Sequence, residues 1–85
     1  MSLRKTVVVA DVYPETLNSA ITEFRKNNQY EPYLIMNMIT ASMINHFFDS
    51  KTDDYKETNG SIYGIYLGCR VYIDEDIKNG VVKLV

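Results

Sequence analysis

A chain of 85 residues with 46% apolar content is one domain at most. At that size it buries roughly 60–65% of the surface its unfolded form exposes, enough for one core without metal or disulfide help. The charge is nearly balanced, −2 overall, which argues against global disorder. The nine Lys and Arg are scattered, with only Arg4-Lys5 and Arg25-Lys26 adjacent. A linear basic stripe of the kind that neutralises phosphates is therefore missing, and no nucleic-acid partner is expected.

Met1-Ser2-Leu3 does not open the long apolar core of a signal peptide, and no apolar run approaches the length of about 18–20 residues that spans a bilayer. A single cysteine, Cys69, forms no internal disulfide, which fits a reducing compartment. The expected setting is soluble and intracellular, with no membrane partner.

In chain order, Thr6 to Val12 reads as a buried strand, because Val7-Val8-Val9-Ala10 is apolar on both faces. Tyr13-Pro14-Glu15 opens a helix: proline suits the first helical position, and Glu15 sits at the positive end of the dipole. Leu17, Ala20, Ile21 and Phe24 follow as one apolar stripe, Arg25-Lys26 suit the negative end, and Asn27-Asn28 can stop the helix in a left-handed conformation. Pro32 breaks the chain, and Tyr33-Leu34-Ile35-Met36 reads as a second buried strand. Strand, helix, strand predicts a right-handed parallel crossover.

Thr40 to Phe48 reads as a second helix, with Ile39, Met43, Ile44, Phe47 and Phe48 at helical spacing and Thr40 or Asn37 as its cap. Asp49 to Gly60 is a polar loop of both charge signs. Beyond it, Ile65 and Leu67 share one strand face, as do Val71 and Ile73, and Gly68 marks a tight turn or a kink. Asn79-Gly80 is the strongest hairpin signal, since both positions tolerate positive φ. Tyr33, Tyr63, Tyr66 and Tyr72 lie in strand-like runs, where aromatics pack for their own sake, so packing is favoured over base stacking.

Few residues suggest chemistry. Cys69 and His46 are the only thiol and imidazole, and cysteine catalysis needs the two in contact. A buried Cys69 and a surface His46 are the expected outcome. The carboxylate groups Asp49, Asp53, Asp54 and Asp74, Glu75, Asp76 lack calcium-loop spacing, and Lys51, Lys56 and Lys78 offset them. Gly60, Gly64 and Gly68 precede strand signals, with no Walker-type lysine, and read as turns or bulges. No catalytic residue, metal, cofactor or small-molecule substrate is expected, and the chain reads as a non-enzyme.

Three phrases carry a resemblance: Pro32-Tyr33-Leu34-Ile35-Met36-Asn37, then Leu67-Gly68-Cys69-Arg70-Val71-Tyr72-Ile73-Asp74, then Gly80-Val81-Val82. From Glu31 onward they resemble a segment of the tailed-phage major capsid proteins, whose axial domain runs helix, strand, helix, loop, glycine-punctuated strand, turn and final strand. The helix from Pro14 to Lys26 falls where that family has one, so the likeness covers about two thirds of the chain. The family's N-terminal arm, extended loop and spine helix have no counterpart, so this chain is not expected to build a shell alone.

These readings predict a single two-layer α+β domain over residues 1–85, with one mixed sheet of four or five strands and two packed helices. The resemblance implies a phage- or prophage-derived structural module, in the cytoplasm of a bacterial host or in a virion, that contacts protein partners or itself. Its candidate contact loop is Lys51 to Thr58, with Lys51, Asp53, Asp54, Tyr55 and Lys56 as the candidate contacts. The alternative is a small phage regulatory protein that binds one host protein.

Overall fold

The structure, a computed structural model, describes residues 6–51 and 62–85. It contains β1 (Val7–Val9), α1 (Pro14–Asn27), β2 (Leu34–Met36), α2 (Met38–Ile44), a 3-10 helix (Asn45–Phe47), β3 (Ser50–Lys51), β4 (Gly64–Tyr66), β5 (Cys69–Ile73) and β6 (Val82–Leu84). The strands form one mixed sheet in the order β1-β6-β2-β5-β4-β3. Five strands of three or five residues make up its body, and the two-residue β3 adds a sixth at one edge. With both helices packed on one face, this is the two-layer α+β fold that the sequence predicts.

The helix α1 starts at Pro14, where the Thr16 hydroxyl accepts from the Tyr13 N–H at 2.9 Å and donates to the Tyr13 carbonyl at 3.0 Å. Leu17, Ile21 and Phe24 face the core and are fully or almost fully buried. The helix does not end in a left-handed residue as the sequence suggests. Asn28 is extended, and its Nδ2 instead donates to the Phe24 carbonyl at 3.0 Å, so a side chain supplies the stop.

Strand β1 is not buried on both faces. It is an edge strand, with Val7 37% and Val8 57% exposed, because only β6 pairs with it. Both β1 and β2 run antiparallel to β6, so they are parallel to each other with β6 inserted between them. The strand-helix-strand crossover is present, one strand wider than its simplest form.

Asn79-Gly80 is also not a hairpin. Gly80 has φ +78°, as a turn requires, but β2 lies between β5 and β6, so the turn belongs to a wide crossover. The tight hairpin is Leu67-Gly68, joining β4 to β5 with φ +49° and +80°. Positive φ at both positions matches strand twist, and it costs most at a leucine. Leu67 therefore lies in a turn and not on a strand face with Ile65. Its carbonyl accepts from the Arg25 guanidinium, and the Gly68 N–H donates to Asp49 Oδ2 at 3.1 Å, which together hold the turn.

The second helix is shorter than the predicted Thr40 to Phe48, with Asn37 as its N-cap. The Asn37 Oδ1 accepts from the Thr40 N–H at 2.7 Å, while its Nδ2 donates to the Ile77 carbonyl at 2.9 Å and to Asn79 Oδ1 at 2.5 Å. Thr40 Oγ1 accepts from the Gly80 N–H at 2.8 Å, and the Gly80 carbonyl accepts from the Val12 N–H at 2.9 Å. One buried carboxamide thus joins α2, the β5–β6 crossover and, through Thr40 and Gly80, the entry to α1. Asn37→Ala removes a helix cap and leaves the Ile77 carbonyl without that donor, at an expected cost of about 2–3 kcal/mol. In thermal unfolding followed by circular dichroism, the midpoint falls by roughly 10–20 °C; a change below about 3 °C would show the network to be dispensable.

Candidate functional site

Three regions bring functional groups together. The first is a polar clamp beneath the Leu67-Gly68 turn. Arg25 Nε donates to Glu31 Oε2 at 2.6 Å, and the other arm of the guanidinium holds the Leu67 carbonyl. Cys69 lies against this pair, its Sγ 3.7 Å from Arg25 Nη2 and 3.9 Å from Glu31 Oε2. Burial pushes the Cys69 thiol up to about 11, against the opposing pull of the Arg25 charge, so it is protonated at neutral pH. Glu31 and Arg25 also border an open polar depression with Asn28, Gln29 and Tyr30.

That clamp is structural in its geometry. The bond to Glu31 outweighs partial burial and raises the Arg25 pKa, so the cation is committed to its present partners. His46 is exposed on the 3-10 helix, whereas the polar neighbours of Cys69 are Arg25, Glu31 and the Leu67 carbonyl. The structure therefore assembles no thiol–imidazole pair from these partners.

The acidic residues disperse into local structural roles. Glu75 Oε2 accepts from the Met38 N–H at 3.0 Å at the start of α2, and Asp74 Oδ1 accepts from the Asp76 N–H at 2.9 Å. Asp49 holds the hairpin, and its charge, after burial, helps raise the Tyr66 phenol, which donates to Asn18 Oδ1 at 2.7 Å. Among the described residues no group of three or more His, Cys, Asp or Glu is arranged to hold a metal. Of the candidate contact loop, Asp53, Asp54, Tyr55 and Lys56 lie outside the described residues, and Lys51 is described only as backbone in β3.

The second region is on α2. The helical spacing that the sequence suggests as one apolar stripe divides in two. Thr40, Ala41 and Ile44 enter the core, while Ile39, Met43 and Phe47 point outward, 56–57% exposed. Neither the first nor the last turn of α2 carries a charge of its own sign-matching kind. Phe47 closes a shallow apolar cleft against Tyr13, Pro14, Glu15 and Thr16, with Tyr13 itself 63% exposed. The result is an apolar strip of Ile39, Met43 and Phe47 that meets Tyr13 across this cleft, with Glu15 at its rim. The sequence held the signal, two interleaved i, i+4 series in one short helix, but not which series faces inward.

The third region is the sheet face opposite the helices. Register places Val8, Lys83, Ile35 and Tyr72 in one row across four strands. Arg70 and Ile65 form part of the neighbouring row, and Tyr33, hydrogen-bonded to Val85 through both backbone groups, meets Tyr72 ring to ring. No family model, curated protein or solved structure matches the chain. Among the described residues no helix is long and apolar enough to cross a membrane.

Because the Cys69 pKa is raised in the folded state, the native protein holds its proton where the unfolded chain has lost it. Stability from this group is complete below about pH 9 and falls as pH rises from 9 toward 11. Cys69→Ala abolishes that component of the fall, measured by urea unfolding at stepped pH. Alkylation of Cys69 at pH 7 is expected to be slow in the native protein and fast in denaturant, and unchanged by His46→Ala. A rate that depends on His46 would establish a thiol–imidazole pair.

Proposed function

We propose that this chain is a non-enzymatic module that works by protein–protein contact, phage- or prophage-derived and structural in role. One observation carries the reading: the exposed apolar strip of Ile39, Met43 and Phe47, which meets Tyr13 across a shared cleft. Large apolar side chains scattered singly on a surface are ordinary; four that adjoin along one helix and its neighbour mark a contact surface. Burying each in an interface removes on the order of 100 Å² from water, so a partner that covers all four gains several kcal/mol before association costs.

The resemblance to capsid axial domains supplies the structural half of the proposal. In that setting the partner is a shell protein or another copy of the chain. The absence of charge along α2 suits self-contact, because an uncharged surface brought against its own copy meets no repulsion.

The double variant Met43→Glu, Phe47→Glu changes only exposed positions, so its stability stays within about 1 kcal/mol of wild type. Light scattering across a concentration series, alone and with a tailed-phage capsid protein, is expected to show association for wild type and its loss in the variant. A strictly monomeric wild type that ignores the capsid protein overturns the structural reading. A one-to-one complex with a single host protein in place of assembly assigns the regulatory alternative.

A further inference from the structure

The sheet face opposite the helices is unusual for its topology. The parallel pair β2–β5 lies at the centre of the sheet, and parallel pairs are ordinarily covered on both sides. Here α1 and α2 both pack on one side, since Leu17, Ile21, Phe24, Ala41 and Ile44 share a core with the inward residues of β2, β5 and β6. On the other side the described residues leave Tyr33, Ile35 and Tyr72 half-buried as an apolar floor, with the two tyrosine rings edge to face at 5.5 Å.

Two cations flank that floor diagonally. Lys83 on β6 is level with Ile35 and Tyr72, and Arg70 lies two residues before Tyr72 on β5; both are exposed. Two strand spacings across and two residues along put them about 12 Å apart, close to the roughly 10 Å diameter of an α-helix with its side chains. No Asp or Glu of the described residues stands in these rows. Glu31, which borders the same depression as Tyr33 and Arg70, is ion-paired with Arg25, and Asp74 accepts from the Asp76 N–H. Arg70 and Lys83 are the charged side chains of these two rows.

We propose that the open sheet face binds an amphipathic helix whose apolar stripe lies on Tyr33, Ile35 and Tyr72 and whose acidic flanks meet Arg70 and Lys83. This rests on the reading of the chain as a protein-contact module, and it names the chemistry of a second partner. A third layer added there covers the parallel pair on both sides. A second copy does not supply such a helix: the apolar face of α1 is already in the core, and the outward stripe of α2 has no acid in its first turn. A single strand of nucleic acid is disfavoured because two cations neutralise few phosphates.

The test is NMR titration of the isotopically labelled full chain with a synthetic amphipathic peptide of about 18 residues, leucine along one stripe and glutamate on both flanks. Amide shifts are expected to concentrate at Tyr33, Ile35, Arg70, Tyr72 and Lys83. The double variant Arg70→Glu, Lys83→Glu, folded by circular dichroism, weakens binding about tenfold, and added salt weakens it in the wild type. The Met43→Glu, Phe47→Glu variant binds the peptide as wild type does, so loss of the α2 contact and loss of the sheet contact are told apart. The proposal is overturned if a lysine-flanked peptide binds equally, if charge reversal has no effect, or if shifts fall on α2. Concentration-dependent shifts on the sheet face without peptide would assign it to a second copy, and saturable binding of an oligothymidine in its stead would assign it to nucleic acid.

Discussion

The fold converges on the carboxamide of Asn37. It is buried, it caps α2, and it donates to two groups of the segment that leads from β5 to β6. A carboxylate offers no donor to Ile77, and an aliphatic side chain offers neither donor nor acceptor, so an amide is required at this position. Through Thr40 and Gly80 the same network reaches Val12, which precedes α1. The long crossover between β5 and β6 leaves the sheet after Ile73 and re-enters at Val82, with β2 between. Few backbone hydrogen bonds hold that stretch, and the amide takes their place.

That arrangement explains how the small core is shared. The helices and the crossover are pinned at one end of the sheet, near Asn37, and the Leu67-Gly68 hairpin is pinned at the other by Arg25 and Asp49. Between these points lie the fully buried Leu17, Ile21, Leu34, Met36, Val71, Val82 and Leu84. Each contributes about 1.5–3 kcal/mol by burial, while the exposed Arg25–Glu31 pair adds at most about 1 kcal/mol. The Arg25 clamp matters chiefly because it holds Leu67 in a left-handed turn that leucine would otherwise avoid.

Local signals were legible in the sequence, and pairing was not. Pro14, the stripe of Leu17, Ile21 and Phe24, and the basic last turn define α1 by adjacent residues alone, and the helix is where they place it. Asn37 is one of the two caps that the sequence offers for α2. Apart from the stop of α1, where Asn28 bonds back to Phe24, the main failures involve neighbours distant in sequence. Val7-Val8-Val9 reads as buried because nothing local distinguishes an edge strand from a central one. Asn79-Gly80 has true turn chemistry, but only the insertion of β2 decides that the turn is not a hairpin. The same limit applies to function: Arg70 and Lys83 are thirteen positions apart and look like scattered charges until β2 sets them on either side of one floor.

The two exposed apolar regions have one origin. An 85-residue chain with 46% apolar residues and a single layer of helices has more apolar side chains than one core can enclose. The surplus is divided by charge. On α2 it forms a strip of apolar side chains on a helix without charged residues. On the sheet it is bracketed by Arg70 and Lys83. Because the helices pack on one side of the sheet and the floor lies on the other, a partner on the sheet leaves the outward stripe of α2 uncovered.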